Sequence, residues 1–165
     1  MPAVSDTSPI LGLSAIGLLE LLQEQFGAVF IPQAVLSELK VAENFRGTAS
    51  VQKALDAGWL KPAEIQNHPL VQSFSLELDQ GEAEAIALAI DLEIKMVVMD
   101  ERIGRERVKS MGLKTVGVIG VLLKAKKQGR IASMKKAMDD LRREAGFFIS
   151  KNLYQKILEE AEEAE

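Results

Sequence analysis

Val4-Ser5-Asp6-Thr7-Ser8-Pro9 joins a short apolar run to the start of a helix. Ala3 and Val4 read as a strand. Ser8 is a good N-cap, and Pro9 has the fixed φ that suits a first helical position. Asp6 is therefore expected at the carboxyl end of a strand, facing a helix N-terminus. In open α/β sheets that edge is where ligands bind. An acid there also complements a helix dipole with no further role. Its meaning depends on which other acids reach the same edge.

Working outward, strand-like and helix-like stretches alternate along the chain. The apolar positions from Ile10 to Leu22 follow helical spacing, broken by Gly12 and Gly17 into two short helices or a kinked one. Ala28 to Ile31 reads as a buried strand, and Pro32 opens a helix with Val35, Leu36 and Leu39 on its core face. Residues 44–57 suggest a further helix closed by Gly58. Trp59 to Pro62 suggests an edge strand, because Pro62 cannot donate to a central ladder. Residues 63–78 give no clear pattern. Asp79-Gln80-Gly81-Glu82 has the spacing of a capping box and starts a strong helix to about Glu93. Met96 to Met99 is a buried strand closed by Asp100. A basic helix over 101–111, a short strand at Lys114 to Val116 and helices over 118–127 and 133–144 follow. A last helix, about 150–163, is capped by Ser150 and ends in an acidic tail that reads as frayed. The whole of 1–165 reads as a single domain. Alternation of this kind predicts an α/β/α sandwich, three layers around a central parallel sheet of Rossmann-like type. Asp6 and Asp100 would then meet at one sheet edge.

Composition narrows the chemistry. Apolar residues make up 47% of the 165, which fits a packed globular chain. There is no cysteine, so disulfides, thiolate metal sites and a cysteine nucleophile are excluded. No basic segment precedes an apolar run at the N-terminus, and no apolar run has the length of a membrane span. The expected location is cytoplasmic. The net charge of −4 hides an asymmetry. Residues 1–101 carry 5 basic and 15 acidic side chains, and residues 102–143 carry 13 basic and 3 acidic. The basic block is where a polyanion would bind, although lysine and arginine also simply solvate helix faces.

Four acids stand out. Asp6 and Asp100 close strands, and like charges brought together repel unless a cation or proton lies between them. Glu82 serves the capping box, yet it shares a helical stripe with Ile86 and Ile90 and so points back to the strand ends. Glu84 lies on another face. Glu38 borders the apolar face of its own helix. Glu101 and Asp79 are placed at most in an outer role. A set of carboxylates without cysteine suits a hard cation, Mg2+ or Mn2+, held through oxygen. The only histidine, His68, reads as a loop or surface residue. A glycine-rich phosphate loop, an aspartyl nucleophile pair and a serine nucleophile elbow are all missing. A receiver-like signalling domain lacks its aspartate at the third strand.

With these residues in place, the chain resembles the PIN domain family of metal-dependent ribonucleases, over nearly its whole length. The resemblance is carried by Ser5-Asp6-Thr7-Ser8-Pro9, by Ile31-Pro32 through Glu38-Leu39, by Gly81-Glu82-Ala83-Glu84-Ala85-Ile86 and by Val97-Val98-Met99-Asp100-Glu101-Arg102. The stretch from Gly112 to Lys126, and the aromatic turn before the last helix, look like a prokaryotic branch of PIN proteins. The resemblance implies hydrolysis of single-stranded RNA at a divalent-metal site. It matches Asp6, Glu38, Glu82 and Asp100 to the acidic quartet, with Glu84 as a rival to Glu82. It matches Ser8 to the small polar residue that steadies the first acid. Many prokaryotic members are VapC-like toxins held by a small antitoxin protein, and relatives commonly form homodimers. Arg102 and Arg105, next to the last acid, are expected to hold RNA phosphates. The competing expectation is a PIN-fold interaction module whose acids no longer catalyse.

Overall fold

The structure is a computed structural model that describes residues 1–42 and 47–164. Its centre is a five-stranded, wholly parallel sheet in the order β3-β2-β1-β4-β5. The strands are β1 (Ala3–Ser5), β2 (Val29–Ile31), β3 (Leu60–Pro62), β4 (Met96–Val98) and β5 (Lys114–Val116). Each is three residues long; β1, β2 and β4 are largely buried, as the middle of a parallel sheet requires, whereas the edge strands β3 and β5 expose Lys61, Pro62 and Lys114. The chain moves from β1 to β2 to β3 in one direction. It then returns to place β4 on the other side of β1. The strand order therefore reverses between β1 and β4, where Ser5 pairs with Val98. Loops leaving two such strands diverge and open a crevice at their carboxyl ends.

Alternate strand residues supply two cores. Ala3, Val29, Ile31 and Val98 join one. It is covered by α1 (Thr7–Ala15), α2 (Glu20–Phe26), α3 (Gln33–Val41), α4 (Thr48–Ala57), α8 (Val118–Lys127), α9 (Met134–Ala145) and α10 (Lys151–Glu160). Val4, Val97 and Met99 join the second. It is covered by α5 (His68–Phe74), α6 (Gln80–Asp91) and α7 (Arg102–Ser110). The result is the expected three-layer α/β/α sandwich.

Three local expectations change. The first helix begins at Thr7, with Asp6 in the extended conformation before it (φ −79°, ψ 174°), so Ser8 lies inside the first turn and is not the N-cap. Residues 63–78 contain α5. Its N-cap is Asn67, whose side chain accepts from the Leu70 N–H, and Pro69 sits harmlessly in the first turn. The acidic tail is not frayed at Glu163. Beyond the end of α10, the Glu163 carboxylate accepts from the Met134 and Lys135 N–H groups at 2.6 and 3.1 Å and pairs with Lys126 at 3.2 Å. It closes the N-terminus of α9, where uncapped N–H groups and the helix dipole favour an anion. Residues 43–46, at the start of the expected fourth helix, lie outside the described residues; that helix is described from Thr48.

Candidate active site

Asp6 and Asp100 follow the carboxyl ends of β1 and β4, where the strand order reverses. The Asp6 N–H donates to the Val98 carbonyl at 3.0 Å, which ties the first acid's backbone to β4. Asp6 is 7% exposed. Burial pushes its carboxyl up to about 7, against the pull of the Thr7 N–H, and the nearby charges of Asp79, Glu82 and Glu38 push it the same way.

Glu38 reaches Asp6 across a glycine. A β-carbon on Gly81 would stand 2.8 Å from Glu38 Oε1 and 3.2 Å from Asp6 Oδ1. The two carboxylates converge on the first turn of α6 because nothing protrudes there.

The capping box holds Glu82. The Glu82 N–H donates to Asp79 Oδ1 at 2.8 Å, and Glu82 Oε1 accepts from the Asp79 N–H at 3.1 Å. Its other oxygen faces α7, 3.4 Å from where a β-carbon on Gly104 would stand. Glu82 is buried, and burial raises its carboxyl above the usual range, reinforced by Asp79 and Glu101 and opposed by the Asp79 N–H.

Asp100 is clamped from two sides. Its Oδ1 accepts from the Val118 N–H at 2.8 Å and its Oδ2 from the Ser8 hydroxyl at 2.9 Å. Burial raises its pKa, with a further push from Glu101; the two hydrogen bonds and the positive charge of Arg105 oppose the rise. Arg105 and Asp100 share the space beside Gly117. A β-carbon there would stand 2.7 Å from Arg105 Nη1 and 2.9 Å from Asp100 Oδ1.

Glu84 points elsewhere. It accepts from the Ala34 N–H at 3.1 Å, in the first turn of α3, and from the Gln80 amide. It is absent from the charges that act most on Asp6, whereas Glu82 is among them. Ser8 steadies Asp100 rather than Asp6, a change from the expected role. Glu101 is exposed, and its charge acts on Glu82 and Asp100. Arg102 lies on the exposed side of α7, paired with Glu106 at 3.2 Å. Among the described residues, no three Asp, Glu or His side chains stand close enough together to hold a metal ion as placed. Asp6 and Glu38 converge, while Glu82 and Asp100 are each held by their own hydrogen bonds.

The family model described as a PIN domain matches residues 2–163. The chain belongs to the PIN domain family. PIN domains are generally nucleases, and they commonly use divalent metal ions. The fold is similar to that of a PilT N-terminus domain protein from the hyperthermophilic archaeon Sulfolobus solfataricus P2. That match has a TM-score of 0.55 and 20% identity, and covers 76% of this chain and 93% of that one. No curated protein matches.

Within this PIN domain, sequence reasoning underrated three groups. Asp79, expected in an outer role, both fixes Glu82 and adds negative potential on Asp6. Gly81 makes room for two carboxylates. Gly117 does the same for Asp100 and Arg105. For Gly81 the available signal is a glycine directly before the helix-start acid Glu82, which reads as close backbone approach as readily as a turn. No helix among the described residues is long and apolar enough to cross a membrane.

Proposed function

We propose that this PIN domain is a metal-dependent endoribonuclease that hydrolyses phosphodiester bonds of single-stranded RNA. The observation that carries the reading is Asp6. It is a buried carboxylate at the switch point of a parallel sheet, pushed up to about 7 and facing the Glu38 carboxylate across Gly81. Such a cluster is unfavourable until a proton or cation joins it. All the donors are carboxylate oxygens, which suits Mg2+ or Mn2+. Asp6, Glu38, Glu82 and Asp100 would hold the ion. When bound, the cation supplies polarisation of a phosphodiester oxygen and an activated water.

The chain's own groups supply position. The Ser8 hydroxyl and Val118 N–H keep the Asp100 carboxylate in one orientation. The capping box does the same for Glu82. Arg105, at Gly117, offers a guanidinium to an RNA phosphate that the acids alone would repel. Water adds across one P–O bond of the strand and two shorter RNAs leave. The same reading makes a small antitoxin protein the natural restraint on the activity.

The test is incubation of the purified protein with end-labelled single-stranded RNA in Mg2+, Mn2+ or EDTA. Cleavage is expected with metal, none in EDTA, and none from Asp6→Asn. Undiminished cleavage by Asp6→Asn, or no cleavage by the wild type with either ion, overturns the reading. Growth arrest on expression, relieved by Asp6→Asn, tests the toxin assignment.

A further inference from the structure

Beside the acidic crevice, on its β2–β3 side, lies an open groove of about 630 Å³. Its polar lining includes Gln33, Glu64, His68, Gln72, Gln80 and Glu84. The side chains of Ile65 and Val71 add an apolar wall. No lysine or arginine lines it, so it is not built to hold a phosphate. It adjoins the proposed catalytic centre directly: Gln80 precedes Gly81, the residue over which Asp6 and Glu38 converge.

Two features suit a ligand. The walls are fixed. Glu84 is held by the Ala34 N–H and the Gln80 amide, and Asp91 Oδ2 accepts from the Gln66 and Asn67 N–H groups at 2.6 and 3.3 Å, which anchors the start of α5 and with it His68. The reading groups are unspent. Among the described residues, the side chains of Gln33, Glu64, His68 and Gln72 make no hydrogen bond or ion pair.

We propose that this groove binds one nucleobase of the RNA strand and sets sequence preference next to the cleaved bond. Single-stranded RNA is read by stacking unpaired bases on flat side chains and by hydrogen bonds to their Watson–Crick edges. His68 offers the flat surface, Val71 and Ile65 the apolar contact, and Gln33 and Gln72 offer both donors and acceptors. Glu64 only accepts when ionised. It therefore favours a base with an exocyclic amino group, adenine, cytosine or guanine, and disfavours uracil, whose edge is one N–H donor between two acceptors. The cleavage-site role rests on the nuclease reading. Base binding does not.

The experiment separates the two. Neutral nucleosides (adenosine, cytidine, uridine) are titrated without metal into the isotope-labelled protein, and NMR shifts are followed at Gln33, His68 and Gln72. Shifts confined to this groove at about 10 mM nucleoside are expected, with uridine weaker by about threefold or more. The surface variant His68→Ala/Gln72→Ala should lose them, and Glu64→Gln should narrow the gap to uridine. No shifts, shifts elsewhere, or shifts unchanged in the double variant overturn the proposal. In a second arm, cut sites are mapped on a mixed-sequence RNA. The double variant should cut with at least about tenfold less nucleotide preference while total cleavage falls less than about threefold. Cleavage with unaltered preference overturns the groove and leaves the nuclease standing. Groove binding without any cleavage does the reverse.

Discussion

The Ser8 hydroxyl donates to Asp100 Oδ2 at 2.9 Å, a bond that spans 92 residues and ties the first turn of α1 to the end of β4. It bridges the two strands between which the sheet order reverses. It thereby fixes the orientation of an acid that also accepts from α8 through Val118.

Ser8→Ala removes that bond and should raise the Asp100 pKa further, because the hydroxyl favours the ionised form. A hydrogen bond to a charged acceptor contributes roughly 1.5–3 kcal/mol when buried, and the exposure of Ser8 reduces this to about 1 kcal/mol. The larger effect should fall on RNA cleavage, since a freed Asp100 no longer holds one orientation. Urea unfolding and metal-dependent cleavage, measured on the same preparation, check both. Equal cleavage by Ser8→Ala and wild type would remove Ser8 from the site.

Asp6 makes the free protein sensitive to pH. Its carboxyl is raised from 3.8 unfolded to about 7 folded. The folded state therefore binds the extra proton between those values, and stability falls as pH rises through that window. At about 1.4 kcal/mol per unit, the ionised acid costs the fold up to roughly 4 kcal/mol above pH 7. Asp6→Asn keeps the shape without the charge. It should match the wild type in acid below pH 4 and be more stable at pH 8, with the gap opening between. Millimolar Mn2+ should stabilise the wild type at pH 8 far more than Asp6→Asn. Thermal unfolding in EDTA and in Mn2+ across pH 4–9 is the measurement. A gap independent of pH would mean that Asp6 is not the strained group.

The parts legible in the sequence are those set by local chemistry. Strand–helix alternation gave the parallel sheet, which in turn placed Asp6 and Asp100 on one edge. Acid-x-x-Glu spacing gave the capping box at Asp79 and Glu82, and both of its bonds are present. What escaped depends on tertiary neighbours. Ser8 looks like a cap because caps are local, but its partner lies just past a strand far along the chain. Glu163 sits in a run of glutamates that reads as solvated, and only the packing of α10 against α9 brings it to an open helix start. Glu82 and Glu84 are two residues apart and chemically alike. The contact of α3 with α6 separates them, taking Glu84 to the Ala34 N–H. His68-Pro69 looks like a break, yet Asn67 turns it into the first turn of α5.

Gly81→Ala separates site chemistry from folding. Alanine is the better helix former, by about 1 kcal/mol in a helix interior. Its β-carbon, however, would stand 2.8 Å from Glu38 Oε1, closer than atoms at rest approach. Glu38 is exposed and flexible at its far end, so it can swing aside at little cost to the fold. Stability should change by less than about 1 kcal/mol, while the convergence of Glu38 with Asp6 is lost. Mn2+ affinity by calorimetry should drop at least about tenfold, with cleavage falling in parallel. Unchanged metal affinity would show that Glu38 is not needed for binding the ion.

Glu163 offers the opposite case, a clamp remote from the crevice. It satisfies two backbone N–H groups at the start of α9 and pairs with Lys126, and these partners hold its carboxyl below the usual range although its partial burial pushes upward. A depressed folded pKa contributes stability that is present above the unfolded value of 4.5 and lost as pH falls through the folded one. Glu163→Ala leaves the α9 N-terminus with only the Ser133 cap. Loss of charge-assisted bonds at a helix start should cost about 2 kcal/mol at neutral pH, and less in acid, where the wild-type carboxyl is itself protonated. Glu163→Gln keeps an acceptor and should recover part of the loss. Denaturant midpoints at pH 7 and pH 3 measure the difference, and RNA cleavage under folding conditions should be unchanged in both variants. A cost that persists undiminished at pH 3 would assign the effect to packing of the tail rather than to its charge.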